Sequence, residues 1–313
     1  MVRIGISHCL LGAKVRFDGG HKNSRFCSEL LSKFVEFIPL CPEVGIGMGT
    51  PRKTLRLVGD IASPRAVFSN GEEGDFTQLL ADYADQHLDQ LNQMSGYILC
   101  KASPSCGMER VRVYNDKGQA ERKGMGIFAA RVKQLKPDLP MEEDGRLNDP
   151  LLRDSFIKRV FIYHEWQQLL ANGLTVSKLQ AFHARHKLNL LAHCQPTYRH
   201  LGPIVASINK TNIEKEASRY FSHLMMGFKK VASRKNNTNV LMHLQGYLKN
   251  KLDKSDRQEL AKCIIDYRKS IEPIMAPLTL LNHHFKKFPD DYISNQSFLS
   301  PYPKELAIRV DTH

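Results

Sequence analysis

The chain has 313 residues, 42% hydrophobic and 25% charged, the balance of a globular protein of about two domains rather than a disordered or fibrous one. No stretch approaches the roughly 18 consecutive apolar residues of a membrane helix, and seven scattered cysteines without a secretory leader pattern argue against a disulfide framework. The formal charge of +13 is unevenly divided: residues 1–146 carry 20 Lys and Arg against 18 Asp and Glu, whereas residues 147–313 carry 25 against 14 and ten of the 13 histidines.

Up to about residue 135, β-rich runs alternate with helical patterns. VRIGIS opens the chain as a strand, so a cytoplasmic location is expected; VEFIPL, GYILC and RVRVY read as further strands and GIFAARVKQL as a helix. Phe76, Leu79, Leu80, Tyr83, Ala84, Leu88 and Leu91 keep helical spacing, which predicts a helix packed on a sheet. The alternation predicts an α/β, Rossmann-like domain with a mainly parallel sheet. LKPDLPMEEDGRLNDP, rich in Pro, Gly and acids, reads as a linker. Beyond it LLRDSFIKRVFIYHEWQQLLANG stops at Asn-Gly, TVSKLQAFHARHKLNLLAHC starts at a Thr cap, and 211–231, 237–252, 255–270 and 273–288 read as helices. The expected organisation is an α/β domain over 1–147 and an all-α domain over 148–313. The basic excess lies in the helical part, pointing either to a polyanion surface there or to a merely basic, solvated domain.

Cys9, Cys41 and the pair Cys100 and Cys106 follow the first three strands. In an open parallel sheet the carboxyl ends of neighbouring strands share one edge, where ligand sites gather, so these thiols are expected to converge. A structural zinc site wants four closed ligands, usually in close pairs, and the chain has no CxxC. His8 as a fourth ligand is disfavoured because adjacent strand residues face opposite ways. An iron–sulfur cube on three thiolates leaves one iron open, suited to Lewis-acid chemistry on a soft atom such as sulfur.

SHCLLGAKVRFDGG, CPEVGIGMGTPR and SPSCG, in this order over roughly residues 1–145, resemble the thiouracil desulfidase family. HKLNLLAHC, NVLMHLQGYLKN and SPYPKEL resemble a helical family often fused to it, and the fused arrangement resembles the bacterial tRNA 4-thiouridine desulfidases. The resemblance implies a 4Fe-4S cluster on three cysteines, matching Cys9, Cys41 and Cys106, with one open iron. It also implies non-redox hydrolysis of a thiocarbonyl, in thiolated tRNA or in small thiolated pyrimidines, with neither membrane nor DNA as a partner. Cys100, at the strand end, then reads as a small buried thiol. Cys27, Cys194 and Cys263 read as core or surface thiols, with Cys27 the one near the Cys9 loop.

Sulfur-for-oxygen exchange needs an activated water and a proton donor. Glu43, two residues after Cys41, is the candidate for both, the alternatives being a helix cap or an ion pair with Arg52 or Lys53. Ser103 either bonds the base or water, or closes the Ser-Pro-Ser turn; Arg16 and Asp18 either hold the uracil edge or a phosphate, or form an Asp-Gly-Gly turn with an ion pair. VGIGMGTPRK has spaced glycines, but Thr50 stands where a dinucleotide fingerprint requires Gly or Ala and a β-like run follows. A loop whose backbone and Arg52 contact substrate phosphate fits better. In the helical part, Lys229, Lys230, Arg234, Lys235, Lys249 and Lys251 are the candidate RNA contacts, with Tyr247 as stacking or core residue. His183, His186 and His193 do not share one helix face and read as core or solvated side chains. The competing class is a noncatalytic RNA-binding protein with a structural metal site.

Overall fold

The computed structural model describes residues 1–306 and Ile308. The chain divides into two compact units, Met1–Asp149 and Pro150–His313. The first runs β1 (Val2–Ser7), β2 (Val35–Leu40), α1 (Pro42–Gly45), β3 (Leu55–Val58), β4 (Arg65–Phe68), α2 (Thr77–Gln86), α3 (Leu88–Gln93), β5 (Gly96–Leu99), β6 (Val111–Tyr114), β7 (Ala120–Gly124), α4 (Ile127–Leu135) and β8 (Met141–Glu143). The second comprises α5 (Pro150–Ala171), α6 (Val176–His193), α7 (Gln195–Ser207), α8 (Ile213–Phe228), α9 (Arg234–Gly246), α10 (Lys254–Arg268), α11 (Met275–Lys287) and the short α12 (Asp291–Ser294). The α/β domain followed by a helical one is therefore as the sequence predicts.

One sheet of the first unit is parallel, in the order β2-β1-β5-β8. The chain leaves β1 towards β2 on one side and reaches β5 and β8 on the other, so the order reverses beside β1, where open α/β sheets form their ligand crevice. Ile4, Ile6, Tyr97, Ile98 and Leu99 are fully buried, as strands covered on both faces require. Each such side chain contributes on the order of 1.5–3 kcal/mol relative to exposure. The second sheet, β4-β3-β6-β7, is mixed and packs Leu57, Val111 and Val113 against Leu80 and Ile127.

The helix expected over 76–91 breaks at His87, whose ring Nδ1 donates to the Tyr83 carbonyl at 2.7 Å. Leu80, Tyr83, Ala84 and Leu91 face the core, but Leu79, within α2, and Leu88, just after the break, are exposed. The expected linker is also revised: its centre forms β8, a buried strand paired with β5, and its acids Glu142 and Glu143 are buried. Glu143 is tolerated there because it accepts the Met108 and Glu109 amides at 2.8 and 3.2 Å. In the second unit, Thr175 caps α6 through the Lys178 amide, and Trp166 stacks on Phe221 at 4.6 Å. Helix α7, with Pro203 inside it, starts with Pro196 in its first turn.

Candidate active site

The carboxyl ends of β2, β1 and β5 open onto one cavity of about 430 Å³, lined by Ser7, Cys9, Cys41, Glu43, Cys100 and Cys106 among others. Cys9 sits in the 3-10 turn His8–Leu11 that follows β1, and Cys41 directly follows β2. Because His8 and Cys9 share a turn rather than a strand, both reach the cavity wall, contrary to the strand argument. The loop from Cys100 to Gly107 is closed by the Gly107 amide on the Ser103 carbonyl at 2.8 Å. Ser103 Oγ accepts the Ser105 and Cys106 amides at 3.2 and 3.1 Å. The carbonyls of Pro104, Ser105 and Gly107 accept amides from Ile127, Ala129 and Gly126, so the loop satisfies the unpaired first turn of α4 and is anchored by it. Gly126 is required for this approach: a Cβ there would strike the backbone of Ser105 and Cys106.

Cys100 is buried at the strand end, as the sequence suggests, and in addition lines the cavity. Its thiol and that of Cys9 hydrogen-bond to one another and titrate as a pair, so that loss of the second proton is strongly opposed. Lys22 Nζ, paired with Asp144 at 3.0 Å and 3.9 Å from Cys100 Sγ, favours the charge on Cys100. Burial, followed by the Glu43 carboxylate, pushes Cys41 up to about 11 and also raises Cys106. Among the described residues no three His, Cys, Asp or Glu side chains gather closely enough to hold a single metal ion. Cys27 is buried but is not part of the cavity wall.

Glu43 is held from three sides: Cys41 Sγ and Ser103 Oγ each donate to it at 3.5 Å, and Arg52 Nη2 lies 3.8 Å away. Ser103 thus serves both the turn and the carboxylate. Arg52 is largely buried and also donates to the Val15 and Gly49 carbonyls at 2.8 and 3.2 Å, clamping two cavity loops. Arg16 lines the cavity; Asp18 does not, and instead accepts the Gly20 amide at 3.0 Å and pairs with Arg16 at 3.6 Å. Ser7 and Lys22 are cavity residues that sequence reasoning missed, because only the fold brings them beside Cys100.

In the second unit Lys229, Lys230, Lys235, Lys249 and Lys251 are exposed. Arg234 is not free: it donates to the Tyr267 carbonyl at 2.7 Å and lies over the Tyr267 ring at 4.6 Å. Tyr247 is exposed and stacks on Tyr292, so it is not a core residue. His183, His186 and His193 are buried, bonded to Tyr220 Oη, Ser297 Oγ and the Lys230 carbonyl. Among the described residues no helix is long and apolar enough to cross a membrane.

Residues 4–144 match the family model for 2-thiouracil desulfurase, and residues 187–303 match that of a protein family of unknown function, DUF1722. The chain is 38% identical over 157 residues to the uncharacterized protein YbgA of Escherichia coli strain K12, spanning 50% of this chain and 93% of that protein. A solved [4Fe-4S]-dependent thiouracil desulfidase, TudS, is 27% identical with a TM-score of 0.40, over 50% of this chain and 99% of its own. The family match over the α/β unit sets aside the noncatalytic alternative. A cysteine-lined cavity at the crevice of a parallel sheet, inside the matching region, identifies residues 4–144 as a 2-thiouracil desulfurase domain, so the protein is a desulfidase, and its second unit carries a DUF1722 region over residues 187–303.

Proposed function

We propose that the protein removes sulfur from thiolated pyrimidines by non-redox hydrolysis, with 4-thiouridine in tRNA as its substrate, using a 4Fe-4S cluster held by Cys9, Cys41 and Cys106. The observation that carries this reading is the convergence of those cysteines, from the ends of three adjacent strands, on a cavity walled by Glu43 and Ser103. The donor set fits the group: the thiols are soft ligands, and they are dispersed over separate turns, as a cluster with separate irons needs and one ion does not. When bound, such a cluster offers an iron without a protein ligand, a Lewis acid with affinity for sulfur.

The reaction consumes one water and releases one sulfide, replacing the C4–sulfur double bond by a C4–oxygen one without electron exchange. Glu43 Oε1, 3.5 Å from Ser103 Oγ, takes the proton of the attacking water and returns it towards the departing sulfur or the ring. Arg52 keeps this carboxylate in place, and its own bonds to Val15 and Gly49 leave it a positioning residue. Arg16 reaches the uracil edge or a phosphate from the cavity wall, and Asp18 shapes the turn that presents it. Lys229, Lys230, Lys235, Lys249 and Lys251 contact tRNA phosphates, while Arg234 orders the start of α9.

Anaerobically purified protein should be brown, carry about four irons and four sulfides per chain, and convert 4-thiouridine in tRNA to uridine with stoichiometric sulfide. A colourless zinc protein, or iron-loaded protein that releases no sulfide from thiolated tRNA or nucleoside, overturns the reading.

A further inference from the structure

The second sheet of the first unit presents three arginines that the cysteine cavity does not use. Leu57, Val111 and Val113 turn into the core, so Arg56 and Arg112 project from the opposite face. Arg122 stands directly opposite Arg112 across the antiparallel ladder, and Leu57 pairs with Val113, which brings Arg56 alongside Arg112 on the parallel side. Like charges placed opposite one another oppose strand pairing. Among the described residues of the sheet no acid pairs with them, and the neighbouring Glu121 pairs with Lys123 at 2.8 Å. Arg56 lies over the Tyr114 ring at 5.5 Å, and its buried Nε makes no hydrogen bond.

With Lys101 and Arg110 these arginines line a groove of about 830 Å³. The acids of the groove are already engaged, Glu143 by two backbone amides and Glu109 by Arg146 at 3.3 Å. The groove and the cysteine cavity share Leu55, Lys101, Ala102 and Pro104 as a common wall.

We infer that this arginine row binds the phosphodiester backbone of single-stranded RNA next to the thiolated base held in the cysteine cavity. The inference rests on the polynucleotide substrate proposed above and assigns the RNA contact nearest the chemistry to the α/β unit. Arginines carried on neighbouring strands about 5 Å apart suit a chain of phosphates, whereas a single anion would call for groups converging on one point. A base must leave its stack to enter the cavity, which favours a single strand on the adjoining surface.

The test uses the full-length, cluster-loaded enzyme with Arg112→Glu/Arg122→Glu, and Arg112→Gln/Arg122→Gln as a variant that removes charge while adding none. The probes are a fluorescein-labelled oligouridylate for binding, and thiolated tRNA and free 4-thiouridine for turnover. Removing two phosphate contacts should weaken oligouridylate binding at least about tenfold and lower the log–log salt slope by about 1.4 units in the glutamine variant. KM for thiolated tRNA should rise by a similar factor, with free 4-thiouridine turnover unchanged in both variants. Unchanged oligouridylate affinity and salt slope in the two variants overturn the inference. If the parent enzyme consumes free 4-thiouridine but not thiolated tRNA, the tRNA reading fails by itself, and the oligouridylate measurement alone then decides the arginine row.

Discussion

The two units each gather residues of metal-binding type, with opposite results. In the α/β unit Cys9, Cys41, Cys100 and Cys106 come from the ends of three strands and meet at a cavity wall. In the helical unit His183, His186 and His193 lie close in sequence on one helix, yet each is buried and bonded to a different partner. Sequence proximity on a helix distributes side chains around an axis, whereas parallel strands bring distant residues to a common edge. Clustering along the chain is therefore a poor guide to convergence in space.

The strongest way to break this contrast is to remove the thiols one at a time. Cys9→Ala, Cys41→Ala and Cys106→Ala should each lose the iron and all desulfidase turnover, since three thiolates are the fewest expected to hold the cube. Cys100→Ala should keep the iron; iron assays that reverse Cys100 and Cys106 would reassign the ligands. Next in size, Glu43→Gln should retain iron and lose about 100-fold in sulfide release, because it removes the proton acceptor with little change of shape. Near-normal rates would reduce Glu43 to a structural partner of Arg52.

The histidine side of the comparison is tested by pH. Burial holds His193 down to about 3 and His183 to about 4, and keeps His186 below its usual range. The unfolded chain takes up protons at these rings near pH 6.5, so their neutral burial is without penalty above that value. Stability then falls as pH drops towards the folded values, by on the order of a few kcal/mol between about pH 6.5 and 4. Chemical denaturation followed through Trp166, the single tryptophan and a residue of this unit, should show the loss. A flat profile would mean that the rings accept protons in the folded protein. The smallest effect is expected from Lys229→Glu, Lys230→Glu and Lys235→Glu combined: tRNA affinity about tenfold weaker at low salt and a salt slope lower by about 2–3 units. Free-nucleoside turnover should not move. Parent-like tRNA binding at 150 mM salt would leave the helical unit's charge without an RNA role.

The α/β-then-helical order, the strand-end cysteines and the Thr175 cap of α6 were legible in the sequence, because periodicity, breakers and capping residues act locally. The family motifs likewise pointed to Cys9, Cys41 and Cys106, and the needs of the reaction to Glu43, all of which line the cavity. The exposure of Leu79 and Leu88, the strand within LKPDLPMEEDGRLNDP, the place of Cys100 beside Cys9 and the engagement of Arg234 with Tyr267 were not. Nor was the row of Arg56, Arg112 and Arg122, which joins the neighbouring strands β6 and β7 to the sequence-distant β3 and exists only through their register. Local patterning determines which segments form strands and helices, but strand order and register decide which side chains face one another, and those depend on pairings between distant segments that no short stretch encodes.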